Sequence, residues 1–181
     1  MKPIRILLAE DQTLMRQGLK TLLETESDFR VVGEAEDGKV AVKLALQSRP
    51  DIILMDVQMP QMNGVEATAA ICRAWPAAKV IILTTFDRDD YVFQGVRAGA
   101  VGYLLKDQPA EKLVETIRRV HGGEVFIQPE IASRTLRAAL HQTSVRTAQN
   151  GGAGEQAQFL RSGRGWGAGA ARPRRFRRRA G

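Results

Sequence analysis

The sequence predicts an α/β fold, a doubly wound parallel sheet with helices on both faces, and three observations carry that expectation. Short β-type runs alternate with helical patterns five times along the chain. The runs around Ile52–Met55 and Val80–Leu83 are continuously aliphatic, as strands buried on both faces must be. Polar residues stand at the ends of such runs, where open α/β sheets place their ligands. At 181 residues, 44% hydrophobic and 26% charged, the chain is long enough for one well-buried domain plus an appendage.

Taken in order, Ile4 to Ala9 reads as the first strand, because Glu10 and Asp11 end its apolar run too early for a signal peptide. A helix begins near Thr13, the candidate N-cap, and Leu14, Gly18, Leu19, Leu22 and Leu23 form its apolar face. Arg30 to Ala35 supplies a second strand. Asp37-Gly38 then turns into a helix whose inward side includes Val40, Ala41, Leu44 and Ala45. Ile52 to Met55, bounded by Pro50 and Pro60, is the central strand, with Asp56 at its end. The loop Met59 to Gly64 follows, and Gly64 permits close backbone approach to a helix from about Val65 to Ala74. Lys79 to Thr84 is the fourth strand. Asp87 is a candidate cap for a short helix, with Asp90 at the capping-box distance. Val101 to Leu105 is the fifth strand, ended by Lys106. A helix from about Pro109 to Val120 turns Leu113, Val114 and Ile117 to one side and stops at Gly122-Gly123. Pro129 to His141 is either a linker helix or a frayed terminal one.

No apolar run approaches the roughly 20 residues of a membrane span. The lone Cys72 forms no intramolecular disulfide, which points to a reducing cytoplasm and a buried structural thiol. The net charge of +7 is unevenly placed: from Ser144 onward stand nine arginines, no lysine and one acid, Glu155. Residues 1–143 carry 18 basic and 19 acidic side chains, so any claim of nucleic-acid affinity rests on the tail alone.

Four strand ends carry polar groups: Glu10-Asp11, Asp56, Thr84 and Lys106. Taken alone, Glu10 or Asp11 is an ordinary loop acid, Thr84 a strand threonine and Lys106 a solvated lysine, whereas Asp56 after four apolar residues already favours function. In a doubly wound sheet, however, these ends lie on one edge and converge on one pocket. Carboxylates forced together repel and rise in pKa unless a cation compensates. With oxygen ligands only, that cation is Mg²⁺ or Mn²⁺. Asp11 and Asp56 each offer an oxygen, the backbone carbonyl of Gln58 another, and Glu10 is expected to hold a water on the ion. A phosphoryl group arriving on Asp56 would meet the metal, the Lys106 ammonium and the Thr84 hydroxyl, one for each oxygen. The chemistry is phosphoryl transfer to a carboxylate nucleophile, by positioning and electrostatics.

On Leu8-Ala-Glu-Asp11, Asp56-Val-Gln-Met-Pro60 with Asn63-Gly64, Leu83-Thr-Thr-Phe86 and Gly102-Tyr-Leu-Leu-Lys106-Asp107, residues 1–128 resemble the receiver domain of two-component response regulators. The resemblance implies a flavodoxin-like (βα)5 sheet in strand order 2-1-3-4-5. It also implies Asp56 as phosphoacceptor from a sensor histidine kinase, Glu10 and Asp11 as metal-binding acids, Thr84 and Lys106 as phosphate ligands, and Tyr103 as an aromatic switch. A phosphoryl oxygen that draws the Thr84 hydroxyl inward would vacate space for the Tyr103 ring. Thr84-Thr-Phe-Asp, the segment Gly95 to Asp107 and the ending Gly122-Gly-Glu-Val-Phe are most similar to the NarL/FixJ subfamily. Regulators of that type attach a helix-turn-helix DNA-binding domain behind the linker helix and often dimerise. Asp107 departs from the pattern of receivers with proline after the lysine.

The expected division is a receiver at 1–128, a linker helix at 129–143 and a low-complexity basic tail at 144–181. The tail is a larger departure: Gly, Arg, Ala and Pro make 25 of its 38 residues, and its few large apolar residues cannot form a helix-turn-helix core. GC-rich codons read out of frame give this composition, so a frameshifted or truncated regulator is one expectation and a disordered basic arm the other. In the second, Arg172, Arg174, Arg175, Arg177, Arg178 and Arg179 would neutralise phosphates of nucleic acid without sequence preference. A Mg²⁺-dependent phosphatase working through an aspartyl phosphate is a further alternative. Such enzymes place a general acid two residues beyond the nucleophile, and Gln58 stands there instead.

Overall fold

The computed structural model of the chain describes residues 2–85, 89–129, 132 and 133, with the backbone alone over 89–92. Six strands, β1 (Ile4–Ala9), β2 (Phe29–Ala35), β3 (Ile52–Asp56), β4 (Val80–Thr84), β5 (Gly102–Leu105) and β6 (Phe126–Ile127), form one parallel sheet in the order β2-β1-β3-β4-β5-β6. The first five follow the expected order. The sixth is an addition: two residues that pair Gly102 with Phe126 and Tyr103 with Ile127.

Every residue of β3, β4 and β5 is buried, which accounts for their continuous apolar composition. Five helices connect the strands: α1 (Thr13–Glu24), α2 (Gly38–Ser48), α3 (Gly64–Ala74), α4 (Asp89–Ala98) and α5 (Ala110–His121). Alternate strand side chains separate into two cores. Leu7, Ile53, Met55, Ile82 and Tyr103 pack with Ala41, Ala45, Ala67 and Ile71 of α2 and α3. On the opposite face Ile6, Leu8, Leu54, Ile81 and Leu104 pack with Leu23 of α1 and Leu113, Val114 and Ile117 of α5.

Local chemistry starts the helices where they start. The Asp37 side chain accepts the Val40 N–H at 2.9 Å and opens α2. Asn63 and Glu66 form a reciprocal capping box that opens α3, with bonds of 2.9 and 3.1 Å. The start of α1 corrects the sequence reading: Gln12 occupies the N-cap, no side chain among the described residues caps the helix, and Thr13 lies inside it. Leu14 is also 84% exposed rather than part of the inward face. Nine residues of helix turn through about 900°, so Leu14 lies diametrically opposite the buried Leu23. Leu19, Leu22 and Leu23 make the actual stripe. The Asp87 cap and, apart from Pro129, Ala132 and Ser133, the linker helix and the tail lie outside the described residues.

Candidate functional site

Parallel register brings the strand ends together. Ala9 aligns with Met55, Asp56 with Leu83, and Thr84 with Leu105. Glu10, Asp56, Thr84 and Lys106 therefore sit at the C-terminal edge of four adjacent strands, as the sequence predicts. The backbone N–H of Lys106 donates to the Thr84 carbonyl at 2.8 Å and continues the ladder one residue past β5.

Glu10 is fully buried and Asp56 is 3% exposed. Lys106 reaches both, with Nζ 2.8 Å from Glu10 Oε2 and 3.0 Å from Asp56 Oδ1. Glu10, Asp11 and Asp56 each place a carboxylate oxygen within 4.8 Å of the others. One ammonium thus bridges two carboxylates, and a third, Asp11, lies beside them. Burial pushes the Asp56 and Glu10 carboxyl groups above their ordinary values, and the Lys106 ammonium offsets part of the rise. A backbone hydrogen bond from Gln58 favours the Asp56 carboxylate as well. Burial alone would lower Lys106, but Glu10 and Asp56 hold its ammonium above the ordinary lysine value.

The residues present fit a hard divalent cation. Their donors are all oxygens, the carboxylates outnumber the ammonium, and Asp11 Oδ1 is buried without a hydrogen-bond partner among the described residues. Glu10 is engaged directly by Lys106, a contact additional to those the sequence predicts.

The Thr84 hydroxyl is buried and donates to the Thr85 carbonyl at 3.1 Å. The Tyr103 ring is fully buried, its hydroxyl has no partner among the described residues, and burial raises its phenol above the usual tyrosine range. Cys72 is a half-buried thiol packed against the core, raised by burial and therefore poorly reactive. The arginines from Arg172 to Arg179 lie outside the described residues.

Three residues escaped the sequence reading. Arg16 on α1 donates to the Glu10 carbonyl at 2.6 Å and so braces the acidic loop. Its position in the first turn of α1, five residues after Asp11, was a signal. Gly95 on α4 leaves room for the Tyr103 hydroxyl, and a Cβ there would overlap it. Gln128, just past β6, accepts the Leu105 N–H through its side chain. Gly64 behaves as expected: a Cβ on it would overlap the Asp56 carbonyl oxygen.

An open parallel sheet that gathers buried carboxylates, a lysine and a threonine at one edge defines an α/β domain built to manage concentrated negative charge. The family model for the response regulator receiver domain matches residues 6–118. The transcriptional regulatory protein YxjL of Bacillus subtilis is 49% identical over 139 residues, which cover 75% of this chain and 64% of that protein. A LuxR-family two-component response regulator from Aurantimonas sp. SI85-9A1 superposes with a TM-score of 0.71 at 31% identity, covering 77% of this chain and 99% of that one. The receiver domain of NarL from Mycobacterium tuberculosis superposes with a TM-score of 0.65 at 31% identity, over 68% of this chain and all of that one. The chain belongs to the response regulator receiver family of two-component systems and is homologous to transcriptional regulators. It spans less than two-thirds of the length of YxjL. Among the described residues, no helix is long and apolar enough to cross a membrane.

Proposed function

We propose that the chain accepts a phosphoryl group on Asp56 from a sensor histidine kinase and changes conformation through Thr84 and Tyr103. The observation that carries this reading is the Asp56–Lys106 pair. A carboxylate 3% exposed is held 3.0 Å from a lysine at the mouth of the sheet, with two further acids in reach. Core packing has no use for such a cluster.

An Asp56 carboxylate oxygen attacks the phosphorus of the kinase phosphohistidine. The P–N bond breaks, and its electron pair remains on the imidazole. Asp11, Asp56 and the backbone carbonyl of Gln58 would hold Mg²⁺ or Mn²⁺, which supplies positive charge against the carboxylates and phosphoryl oxygens. Lys106 takes a second oxygen as a point charge. Thr84 exchanges its bond to the Thr85 carbonyl for one to the third oxygen. Gln58 cannot protonate a leaving group, so the domain is a signalling acceptor rather than a turnover phosphatase.

The domain division 1–128, 129–143 and 144–181 belongs to the same proposal, with output through transcription or partner binding, and dimerisation in the phosphorylated form. Beryllofluoride with Mg²⁺ imitates the phosphoryl group and tests the reading. The Tyr103 environment should change in the wild type and stay constant in Asp56→Asn. An unchanged wild-type signal contradicts it.

A further inference from the structure

Gln128 is a polar side chain only 6% exposed, placed where β6 ends and a helical turn begins. Its backbone N–H donates to the Tyr103 carbonyl at 3.3 Å. Its side-chain Oε1 accepts the N–H of Leu105 at 3.2 Å. The side-chain amide thus stands in for a peptide carbonyl and extends the β5–β6 ladder after the backbone of β6 has turned away. The Gln128 carbonyl also accepts the Ala132 N–H at 2.9 Å, so the same residue opens the turn that follows the sheet. A buried amide is costly unless bonded, and an apolar side chain would fill the space more cheaply. What only Gln128 supplies here is the connection.

The strand it grips is the functional one. Tyr103 and Leu105 bracket Leu104, and Lys106 follows immediately, bound through its own N–H to Thr84. We propose that Gln128 is a positioning residue that clamps the start of the segment beyond the sheet to β5. A shift of β5 at Tyr103 or Lys106 is thereby passed to the turn at Pro129, Ala132 and Ser133. The trigger rests on the proposed phosphorylation of Asp56; the clamp itself does not.

Amide hydrogen exchange on the full chain, with and without beryllofluoride and Mg²⁺, tests the clamp in the wild type, Gln128→Met and Gln128→Glu. In the wild type, beryllofluoride should change exchange at Leu105 and at Gln128, Ala132 and Ser133 together. Gln128→Met keeps the length but removes the acceptor, so exchange at Leu105 should rise about tenfold, as for a lost buried hydrogen bond. Its response around Asp56 should persist while the response at Ala132 and Ser133 disappears, a split that simple destabilisation would not produce. Gln128→Glu keeps an acceptor oxygen and should restore the response. A response at Ala132 and Ser133 that survives in a folded Gln128→Met overturns the proposal. Should that variant not fold, Leu105 and Gln128 responding independently in the wild type overturns it equally. If the wild type shows no beryllofluoride response at Asp56, the phosphorylation reading fails instead. The clamp is then decided without ligand: Gln128→Met must speed exchange at Ala132 and Ser133 as well as Leu105, and unchanged protection there overturns it.

Discussion

The Tyr103 hydroxyl lies in the space that a Cβ on Gly95 would fill. An aromatic ring from β5 and a glycine on α4 thus form a lock whose two halves are eight residues apart in sequence. The ring is fully buried in this arrangement and its hydroxyl has no partner among the described residues. Such a side chain has a reason to leave as well as a place to stay.

Gly95→Ala should therefore expel the Tyr103 ring or cost about 1–3 kcal/mol by overpacking. Tyrosine ionisation followed by ultraviolet absorption, in a Tyr91→Phe background, separates the outcomes. Burial raises the Tyr103 phenol, so the wild type should hold it un-ionised above its ordinary value of about 10. The stabilising contribution is present below that value and is lost as pH rises toward the folded pKa. In Gly95→Ala, Tyr103 should titrate close to 10 and the alkaline loss of stability should shrink. Unchanged titration together with unchanged stability would show that the ring does not depend on Gly95; unchanged titration with a stability loss would mean that the ring stays and the core is overpacked.

Gly64→Ala should be damaging for a different reason. The added Cβ would meet the Asp56 backbone carbonyl, which no rotamer change can relieve. It would also press on the loop held by the Gly64 N–H to Val57 carbonyl bond of 2.9 Å. A loss of about 2 kcal/mol or more is expected in denaturant unfolding. A loss within about 0.5 kcal/mol would mean that the loop has more freedom than its contacts suggest.

Asp56→Asn should stabilise the chain in the absence of divalent cations, by about 1–2 kcal/mol at neutral pH. The folded Asp56 and Glu10 carboxyl groups both titrate above their ordinary values, chiefly through burial. Their contribution to stability is full below the unfolded pKa and is lost as pH rises through the folded one. At neutral pH the wild type therefore holds the repulsion, and the substitution removes part of it. Urea midpoints from acid to neutral pH should converge at the acid end. Saturating Mg²⁺, at about 100 times its Kd, should add about 2.7 kcal/mol to the wild type and far less to Asp56→Asn. Destabilisation by Asp56→Asn without metal would mean that its bond to Lys106 outweighs the repulsion.

Much of the site was legible because one-dimensional signals determine it. Ile52 to Met55 and Val80 to Leu83 are buried on both faces and carry uninterrupted aliphatic runs, so the polar residues that end them stand out. Parallel order then places Asp56, Thr84 and Lys106 on one edge. The two-residue β6 carries no such pattern, since Phe126 and Ile127 become a strand only through pairing with β5. Leu14 misled because hydrophobicity alone does not give the phase of a helix face. The Asn63 and Glu66 capping box is readable from its spacing, an acceptor followed three residues later by a glutamate. Gly95 and Gln128 were beyond reach, because each matters through a neighbour that only the tertiary fold supplies.

The most direct test of the central claim is the location of the phosphoryl group. The full chain is incubated with Mg²⁺ and a small-molecule phosphodonor, the acyl phosphate is trapped by borohydride reduction, and the modified residue is identified by peptide mass spectrometry. The account predicts modification at Asp56, dependent on Mg²⁺, lost in Asp56→Asn and sharply reduced in Asp11→Asn. Phosphorylation at another residue, or none in a folded wild-type chain with Mg²⁺ bound, would contradict it.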